Sequence, residues 1–583
     1  MSLQLRAAPE ALIRQRTVPT LNEPLSENAL VHRILAARGV RQRQELSFAL
    51  ADIPRPDTLP SIVEAVQRLL SARDNNERVL IVGDYDCDGA TSTVVALQGL
   101  AMLGFRDVDY LIPDRFEFGY GLSPAITDVA HQQYQPQLIV TVDNGVASVE
   151  GVERAREHGI DVVVTDHHLA PEILPDAVSI VNPNLPGASF PGNNLAGVGV
   201  IFYTLLAVRA QLKERGDPYA NARLTELLDL VAIGTVADVV PLDAINRTLV
   251  EQGLRRIRAG STRPGILALL KIAGRDSETI TTEAIGFGIG PRLNAAGRLD
   301  DMRIGVQCLL SETNHTASEF AEQLNSLNSS RQSIESDMRS DAVAQLDNLQ
   351  LEGRSGVDTF AICLMNESWH QGVIGILAGR VKEATYKPVA LFTVDDGEHL
   401  KGSVRSIPGV HIRDVLQNIA VQYPQMIAKF GGHAMAAGLT LPIGMFDSFR
   451  DAFDAEVRRV MNGELSVREY LTDGQLTESE RTLDNARLLA RFMPWGQGFE
   501  APLFDDVFRV IRQKAVGRDQ SHLKLTLESP ESGRSIDAIA FNQEKVNAPE
   551  GLVRVVYSLD ANLFRGAYTL QLRVQYLEAC SLR

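Results

Sequence analysis

The sequence lacks the features that would place it in a membrane or outside the cell. No uninterrupted apolar run approaches the roughly 20 residues that a bilayer-crossing helix needs, and the start, MSLQLRAAPEALIRQR, has no apolar segment after a basic one, as a secretory signal would. The cysteines, Cys87, Cys308, Cys363 and Cys580, are too scattered for a disulfide framework or a CxxC metal site. We therefore expect a cytoplasmic protein without a membrane segment.

Positive charge is scarce as well, because 57 Lys and Arg stand against 73 Asp and Glu, a net charge of −16. Proteins that coat nucleic acid gain affinity from Lys and Arg that neutralise phosphates, so this balance argues against that class. A nuclease is not excluded, since carboxylate metal sites add negative charge and a local basic groove can lie on an acidic protein. The hydrophobic content of 45% and the charged content of 22% exclude a mostly disordered chain.

The length of 583 residues suggests roughly three to four domains. Residues 1–55 are predicted to form a helical segment that ends at the Pro-rich IPRPDTL. Residues 56–310 alternate apolar runs such as ERVLIVGD and DVVVTDHH with amphipathic stretches, which is typical of a parallel sheet covered by helices on both faces. Residues 311–352 are predicted to be a half-exposed connecting helix, 353–463 a second α/β unit, and 464–583 a small β-barrel of the oligonucleotide/oligosaccharide-binding (OB) type.

Acidic residues interrupt the buried runs where the predicted strands end. The clusters are Asp84, Asp86 and Asp88 in VGDYDCDG, Asp143 in VTVDNG, Asp166, His167 and His168 in VVVTDHH, and Asp238 in VAIGTVADVVPL. Ligands of open α/β sheets bind at the carboxyl ends of the strands, so we expect these clusters to converge. At about 4 Å and an effective dielectric of about 20, each like-charge pair costs about 4 kcal/mol. Either their pKa values rise or a cation neutralises them.

The ligand types indicate which cation this would be. Aspartate oxygens with imidazoles, and no nearby thiolate ligand, suit Mn²⁺ or Mg²⁺. Two such ions about 3.5–4 Å apart could position a nucleophilic water and clamp a phosphoryl group. We expect Cys87, which alternates away from its acidic neighbours, to be a packed side chain.

Single motifs also allow other interpretations. A lone Asp at a strand end is more often a helix N-cap than a metal ligand. DxDxDG resembles the start of a calcium-binding loop, but position 12 from Asp84 is Val95 rather than Glu. GVGVIF does not open the first βαβ unit, which argues against a dinucleotide site. The four clusters together favour the metal centre.

These motifs resemble those of the DHH phosphoesterase superfamily, which is named for the motif that appears here as Asp166-His167-His168. DYDCDG, TVDNG, TDHH and ADVVPL match its four catalytic motifs in order. PDRFEFGYGLS, GPRLNAAGRLDD, SVRS and GGHAMAAG are similar to motifs more particular to the RecJ family of bacterial single-stranded-DNA exonucleases. The resemblance covers essentially the whole chain, and it implies an α/β DHH catalytic domain, a DHH-associated domain and an OB-type barrel.

The resemblance also implies a role for each matched residue. The metal ligands would be Asp86, Asp88, Asp143, His167 and Asp238, with Asp143 bridging two ions and Asp84 as a further ligand or a close neighbour. His168 would face the scissile phosphate, and Asp166 would orient the imidazoles. The substrate-binding residues would be Arg115, Arg292, Asn294, Arg298, Ser403, Arg405, Gly431, Gly432 and His433, of which Arg115, Ser403 and Arg405 could bind a terminal 5′ phosphate. From the residues alone, a simple turn at the glycines and surface salt bridges for the arginines remain alternatives.

The implied function is a single-stranded-DNA-specific 5′-to-3′ exonuclease that releases 5′-mononucleotides in DNA repair and recombination. Its implied partners are single-stranded DNA with a 5′ end, the single-strand binding protein and a RecQ-type helicase, and we expect a monomer. One alternative is a DHH phosphodiesterase of short oligonucleotides or cyclic dinucleotides, which would need neither the N-terminal region nor the barrel. Another is a non-catalytic replication-associated binding protein, which the complete set of acids disfavours.

The barrel offers candidate aromatic residues for stacking on bases: Phe504, Phe508, Phe541, Tyr557, Phe564 and Tyr568. Most must fill the barrel core, so we expect one or two at most to contact DNA. Phe564 and Arg565, between two predicted strands, are the best candidates for exposure.

Overall fold

The computed structural model describes residues 11–115, 117–351, 359–517, 520, 522–541, 549, 551–564 and 566–580, without the side chains of 349–351 and 564. The N-terminal segment differs from the helical prediction. Ala11–Gln15 form strand β1, which pairs in parallel with Arg468–Thr472, and helix α1 spans Ala29–Ala37. Short 3-10 turns follow at Arg43–Leu46, Leu50–Asp52 and Pro56–Thr58. The partner of β1 is remote in sequence, so no local pattern marks this strand.

The first α/β domain contains the predicted parallel sheet. Its strands are β2 (Val79–Gly83), β3 (Val108–Leu111), β4 (Leu138–Val142), β5 (Asp161–Thr165) and β6 (Ser179–Val181), in the order β3-β2-β4-β5-β6. Val79 and Ile81 of β2 join the core on one face of the sheet, and Leu80 and Val82 join the core on the other. Burial on both faces explains the nearly continuous apolar runs.

Helices cover this sheet and extend the domain beyond it. They are α2 (Ile62–Asp74), α3 (Cys87–Met102), α4 (Pro124–Gln133), α5 (Val149–Glu157), α6 (Gly197–Glu214), α7 (Leu228–Ala237), α8 (Ala244–Arg258), α9 (Pro264–Ile272), α10 (Thr282–Ala284), α11 (Gly290–Leu299) and α12 (Arg303–Leu310). A π-helical turn, Ile285–Ile289, separates α10 from α11, and 3-10 turns lie at Pro218–Asn221, Leu224–Leu227 and Ser277–Thr279. In the described ranges, no helix has both the length and the apolar character that a membrane span requires.

A long helix connects the two α/β domains, as predicted. Helix α13 spans Asn314–Leu351, and its 38 residues correspond to about 57 Å. Ala321 and Leu324 near its start belong to the core of the first domain. Met338 and Ala342 near its end pack with the second domain. The helix therefore fixes the distance between the domains by burying a different stretch in each.

The second α/β domain has a mixed sheet. Its elements are β7 (Ile362–Met365), α14 (Gln371–Thr385), β8 (Val389–Val394), β9 (His399–Arg405), α15 (Ile412–Gln422), β10 (Lys429–Gly432), β11 (Ala436–Pro442) and α16 (Phe446–Val460), with a 3-10 turn at Ile443–Met445. The strand order is β10-β11-β9-β8-β7, and β7 and β8 are parallel whereas the other pairs are antiparallel.

The predicted C-terminal barrel is confirmed. After β12 (Arg468–Thr472) and α17 (Leu483–Phe492), strands β13 (Phe504–Val516), β14 (His522–Glu528), β15 (Ser535–Ala540), β16 (Leu552–Phe564) and β17 (Ala567–Ala579) close in the order β13-β14-β15-β17-β16. Phe504, Phe508 and Tyr557 are buried, whereas Phe541 and Tyr568 are each 43% exposed. The Phe564 side chain and Arg565 lie outside the described residues.

The N-terminal segment is fastened to the start of the barrel region by a buried ion pair. The guanidinium of Arg38 donates two hydrogen bonds to the carboxylate of Asp473, at 2.6 and 3.0 Å. It also donates to the carbonyl of Glu500 at 2.7 Å and lies 5.3 Å from the ring centre of Trp495. The side chains of the ion pair are 2% and 0% exposed, so the contact is shielded from water.

Candidate metal centre and substrate cleft

The carboxyl edge of the parallel sheet gathers the acidic motifs that lie far apart in the sequence. Asp84, Asp143 and Asp166 directly follow the neighbouring strands β2, β4 and β5. Asp238 follows the last residue of α7. Among the described residues, potential ligand atoms lie within 4.8 Å of one another in three overlapping groups: Asp143, His167 and His168; Asp88, His167 and Asp238; and Asp84, Asp86 and Asp143.

The N-termini of two helices hold two of these carboxylates. Asp86 is the N-cap of α3, and its Oδ1 accepts the N–H of Gly89 at 3.0 Å. Asp88, in the first turn of α3, accepts the N–H groups of Gly197 and the residue after it at 2.7 and 3.1 Å, at the start of α6. Position 197 requires glycine, because a Cβ there would lie 2.5 Å from Asp143 Oδ1. The positive ends of both helix dipoles favour carboxylates here.

Four buried atoms of the cluster have no hydrogen-bond partner among the described residues. They are Asp84 Oδ1, Asp143 Oδ1, Asp238 Oδ2 and His167 Nε2. His167 Nε2 lies 3.2 Å from Asp143 Oδ1 and 3.6 Å from Asp238 Oδ2, but neither contact is a hydrogen bond. Each buried polar atom without a partner costs about 1–3 kcal/mol. Acceptor oxygens and an imidazole nitrogen that face one another in this way fit a shared cation.

The electrostatics of the cluster lead to the same conclusion. Burial, together with the neighbouring carboxylates, raises the pKa of Asp84, Asp88 and Asp143 well above its usual value. Burial and the charge of Asp86 raise the pKa of Asp238 to about 7. Burial and the neighbouring His168 lower the pKa of His167 to about 4, so its ring is neutral and can donate a lone pair. The donor set of carboxylate oxygens and imidazole suits Mn²⁺ or Mg²⁺.

Asp166 has a different role from the other acids, because both of its carboxylate oxygens accept hydrogen bonds from neighbouring residues. It accepts the backbone N–H groups of Val146, His167 and His168 at 2.9, 2.7 and 3.1 Å, and Nδ1 of His168 at 2.7 Å. Burial alone would raise the pKa of Asp166, but the hydrogen bond from His168 and both imidazoles lower it. Burial opposes the charge on His168 as well, yet the bond to Asp166 and nearby carboxylates raise its pKa to about 9. Asp166 therefore orients a His168 ring that carries its proton.

Three residues that support this motif were missed in the sequence. Nδ2 of Asn182 donates to the His168 carbonyl at 2.8 Å, and Nδ2 of Asn184 donates to the His167 carbonyl at 2.6 Å. Both follow β6, the next strand of the sheet, in VNPN, so their place at a strand end was the available signal. The third is Tyr120, whose hydroxyl lies 3.3 Å from His168 Nδ1.

The second α/β domain faces the cluster across a cleft. The ring of His433 is stacked near that of His168, with centroids 6.0 Å apart and an interplanar angle of 17°. Gly431 and Gly432 precede it at the end of β10, and the space beside Gly431 is open. The structure thus brings these predicted substrate-binding residues to the cleft wall opposite the acidic cluster.

Cationic side chains gather where the two domains approach each other. Arg298 is half-buried and donates to the carbonyl of Gly372 at 3.3 Å, and desolvation and the nearby Arg115 lower its pKa to about 10. Nη1 of Arg405 donates to Oγ of Ser403 at 3.1 Å, and burial lowers the pKa of Arg405. Half-buried guanidinium groups that share a cleft gain from an anionic ligand, which restores the charge balance.

A cavity of about 390 Å³ opens between these elements. Its lining includes Tyr85, Arg115 and Tyr120 from the first domain, and Lys401, Lys429 and Gly431 from the second. The guanidinium of Arg115 lies 4.7 Å from the ring centre of Tyr85. The cavity therefore offers both aromatic rings and positive charge next to the acidic cluster.

Arg292 and Asn294 make contacts of another kind. Oδ1 of Asn294 accepts the N–H of Cys87 at 2.8 Å, which holds the first residue of α3. Arg292 donates to the Gly288 carbonyl at 2.6 Å and to Oδ1 of Asn325 on α13 at 3.0 Å. These bonds tie α11 to its neighbours, and a substrate contact for either residue stays a prediction.

Three family descriptions match the chain in the order of its domains. The DHH family, N-terminal domain, matches residues 78–235, the DHHA1 domain matches residues 358–459, and the RecJ OB domain matches residues 472–576. The cluster of acids and imidazoles lies in the first of these regions apart from Asp238, which follows it by three residues.

Several curated proteins that are similar to this chain share one description. "Single-stranded-DNA-specific exonuclease RecJ" of Haemophilus influenzae is 46% identical over 572 residues, which cover 97% of this chain and 99% of that protein. The protein of the same description from Escherichia coli is 46% identical over 570 residues, or 96% of this chain and 98% of that one. The solved structure of RecJ in complex with Mn²⁺ from Thermus thermophilus has a TM-score of 0.78 at 28% identity, over 98% of this chain and 80% of that chain. A Mg²⁺ complex of that protein gives a TM-score of 0.73 at the same identity, over 98% and 79% of the two chains.

Proposed function

The chain belongs to the RecJ family of single-stranded-DNA-specific exonucleases, and we propose that it degrades single-stranded DNA from the 5′ end by metal-dependent hydrolysis, releasing 5′-mononucleotides. The observation that carries this function is the group of unpartnered carboxylate and imidazole atoms at one edge of the sheet. It shares a cleft with half-buried arginines, which supports a site for divalent cations beside a site for phosphate.

The residues that would hold Mn²⁺ or Mg²⁺ are Asp84, Asp86, Asp88, Asp143, His167 and Asp238. When bound, two such cations supply the Lewis acidity that in-line phosphodiester hydrolysis requires. The hydrogen bond to Asp166 and the nearby carboxylates raise the pKa of His168 to about 9, which favours a ring that can donate to a phosphate oxygen in the cleft. Asp166 keeps this ring in place by accepting from its Nδ1.

The arginines support recognition of a strand end. A terminal 5′ phosphate placed among Arg115, Arg298 and Arg405 would accept charge-assisted hydrogen bonds, which are stronger than those between neutral groups. Ser403 adds a hydroxyl beside Arg405. The adjoining cavity of about 390 Å³ has room for one nucleotide, with Tyr85 or Tyr120 available to a base. Recognition of one terminal nucleotide favours stepwise digestion from that end.

A groove between the first domain and the barrel supports a single strand as the substrate. Its volume is about 770 Å³, and Val239, Phe287 and Trp495 are among its lining residues. Val239 directly follows Asp238 and is 62% exposed, and Phe287 is 74% exposed. Unpaired bases can stack on exposed apolar side chains, whereas bases in a duplex are already stacked on each other. A strand in this groove would pass from the barrel to the acidic cluster.

The wider role follows from the family resemblance. We infer that the enzyme acts in DNA repair and recombination as a cytoplasmic monomer, on ends opened by a RecQ-type helicase and bound by the single-strand binding protein. Size-exclusion chromatography with light scattering tests the monomer, and pull-down assays with the two purified proteins test the partners.

A nuclease assay on blocked oligonucleotides tests the proposed activity. With Mn²⁺ or Mg²⁺, a long single strand with a free 5′ end should be digested to mononucleotides, and a 5′-blocked strand should persist. Asp143→Ala should abolish cleavage with the fold intact, while Asp451→Ala, at an exposed carboxylate on α16, should cleave normally. Faster digestion of a dinucleotide than of the long strand would instead identify a phosphodiesterase of short oligonucleotides.

A further inference from the structure

Tyr120 reaches into the cleft from a turn outside the sheet. It stands between Gly119 and Gly121, whose φ angles of +78° and +76° belong to the left-handed region that glycine adopts readily. These two residues direct the chain so that the Tyr120 side chain, 49% exposed, lies over the acidic cluster. No role in the function described above depends on its hydroxyl group, although that group touches two of the site residues.

The first contact is with the backbone of Asp143. The Tyr120 hydroxyl donates to the Asp143 carbonyl oxygen at 3.2 Å. Asp143 has a φ of +62°, a left-handed conformation that costs a non-glycine residue of the order of 1 kcal/mol or more. This conformation turns the Asp143 carboxylate toward His167. The hydroxyl therefore supports the backbone geometry on which one of the proposed ligands depends.

The second contact is with His168. The same oxygen lies 3.3 Å from Nδ1 and 3.4 Å from Nε2, so it faces the imidazole between its two nitrogens. The rings of Tyr120 and His168 meet edge to face, with centroids 5.8 Å apart and an interplanar angle of 78°. Oδ1 of Asp166 accepts the hydrogen bond from Nδ1. Asp166 and Tyr120 together restrict the rotation of the ring that faces the cleft.

We propose that Tyr120 is a positioning residue for the hydrolysis, and that its hydroxyl acts by holding the backbone of Asp143 and the ring of His168 in their reactive places. The proposal rests on the proposed function, since it concerns the same reaction. The Tyr120 ring itself is braced by Tyr85, whose centroid lies 6.1 Å away at an interplanar angle of 80°. The hydroxyl and the ring can therefore be tested separately.

The test compares Tyr120→Phe, which keeps the ring and removes the hydroxyl, with the full-length wild-type enzyme. Residues that support metal ligands or catalytic groups through hydrogen bonds typically contribute 10–100-fold, so we expect kcat to fall at least about 10-fold. KM for a long 5′-phosphorylated strand should stay within about two-fold of wild type, because the hydroxyl is engaged by the protein rather than by DNA. DNA affinity in EDTA and the Tm should be unchanged. Tyr219→Phe, at an exposed tyrosine, is the matched control and should behave as wild type.

Other results would overturn the proposal. An unchanged kcat would show that the hydroxyl positions nothing. A higher KM or a weaker affinity in EDTA with kcat intact would assign Tyr120 to substrate binding. Parallel losses of kcat and Tm would show a merely structural contact. If Tyr120→Leu is impaired while Tyr120→Phe is not, the ring alone matters. An inactive wild-type enzyme would contradict the proposed function itself, which separates the two failures.

Discussion

Replacing Asp238 by Asn should stabilise the metal-free protein at alkaline pH, although it removes a proposed metal ligand. The Asp238 carboxyl is buried beside Asp86, and its pKa is raised from 3.8 to about 7 in the folded protein. Between pH 3.8 and about 7, the Asp238 carboxyl therefore keeps its proton in the folded state but has lost it in the unfolded state. Stability falls as the pH rises through this range, and the loss is complete above pH 7.

The size of this effect follows from the shift. Each pH unit corresponds to about 1.4 kcal/mol, so a shift of about three units destabilises the metal-free fold by about 4 kcal/mol at pH 8. The Asp238 side chain is only 21% exposed, so solvent screens little of this electrostatic destabilisation. Protons redistribute among coupled carboxylates, which makes this figure an upper limit. At about 2–4 °C per kcal/mol for a domain of this size, that limit corresponds to a rise in the Tm of about 8–16 °C for Asp238→Asn.

Thermal unfolding in EDTA at pH 5, 6, 7 and 8 measures the effect. The Tm of Asp238→Asn should exceed that of the wild type by a margin that grows with pH, and Asp451→Asn, at a carboxylate 74% exposed, should show no such margin. Adding Mn²⁺ should raise the wild-type Tm most at pH 8 and raise that of Asp238→Asn much less. If the variant is no more stable than the wild type at pH 8, the buried negative charge of Asp238 does not destabilise the metal-free protein, and the reasoning is refuted.

Three further substitutions test other parts of the molecule. Arg38→Ala leaves the Asp473 carboxylate buried without its cation, so it should lower the free energy of unfolding in urea by about 3–5 kcal/mol. Arg14→Ala, at an exposed ion pair, should lower it by less than about 1 kcal/mol. Equal losses would contradict a stabilising role for the buried Arg38–Asp473 ion pair. Arg405→Ala should raise KM for a 5′-phosphorylated strand by about 10-fold or more, since a hydrogen bond to a charged group contributes about 1.5–3 kcal/mol, and should leave KM for a 5′-hydroxyl strand unchanged. Phe287→Ala should weaken binding of a long single strand in EDTA by about 1–3 kcal/mol, and equal weakening for a dinucleotide would argue against the groove.

The acidic cluster was predictable because the order and direction of the strands determine where its residues lie. When strands alternate with helices, successive strands are parallel and their carboxyl ends share one edge, so Asp84, Asp143 and Asp166 meet wherever the helices pack. The fold class follows from the same alternation. Asp238 was predictable for a weaker reason, namely that a lone carboxylate in a buried apolar run needs a partner.

The remaining contacts depend on packing that local sequence does not encode. Asn294 binds the backbone of Cys87, which lies 207 residues earlier in the chain, and the motif around it gives no sign of that choice. Arg292 turns to Asn325 because α13 passes beside α11, a consequence of how the long helix crosses the first domain. Strand β1 finds its partner beyond residue 460, so its five residues carry no hairpin or crossover signal.

The hydrogen bonds of the cluster separate two kinds of carboxylate that look alike in the sequence. Both oxygens of Asp166 are taken by N–H groups, and both oxygens of Asp88 accept from the start of α6. By contrast, Asp84, Asp143 and Asp238 each keep a buried oxygen that no described residue satisfies. The first kind holds the loops in place through N–H donors on both oxygens, which lower the pKa of Asp166, whereas burial and the charges of Asp238 and Asp86 still raise that of Asp88. The second kind makes the metal-free site unstable, and that instability is the driving force for capturing cations.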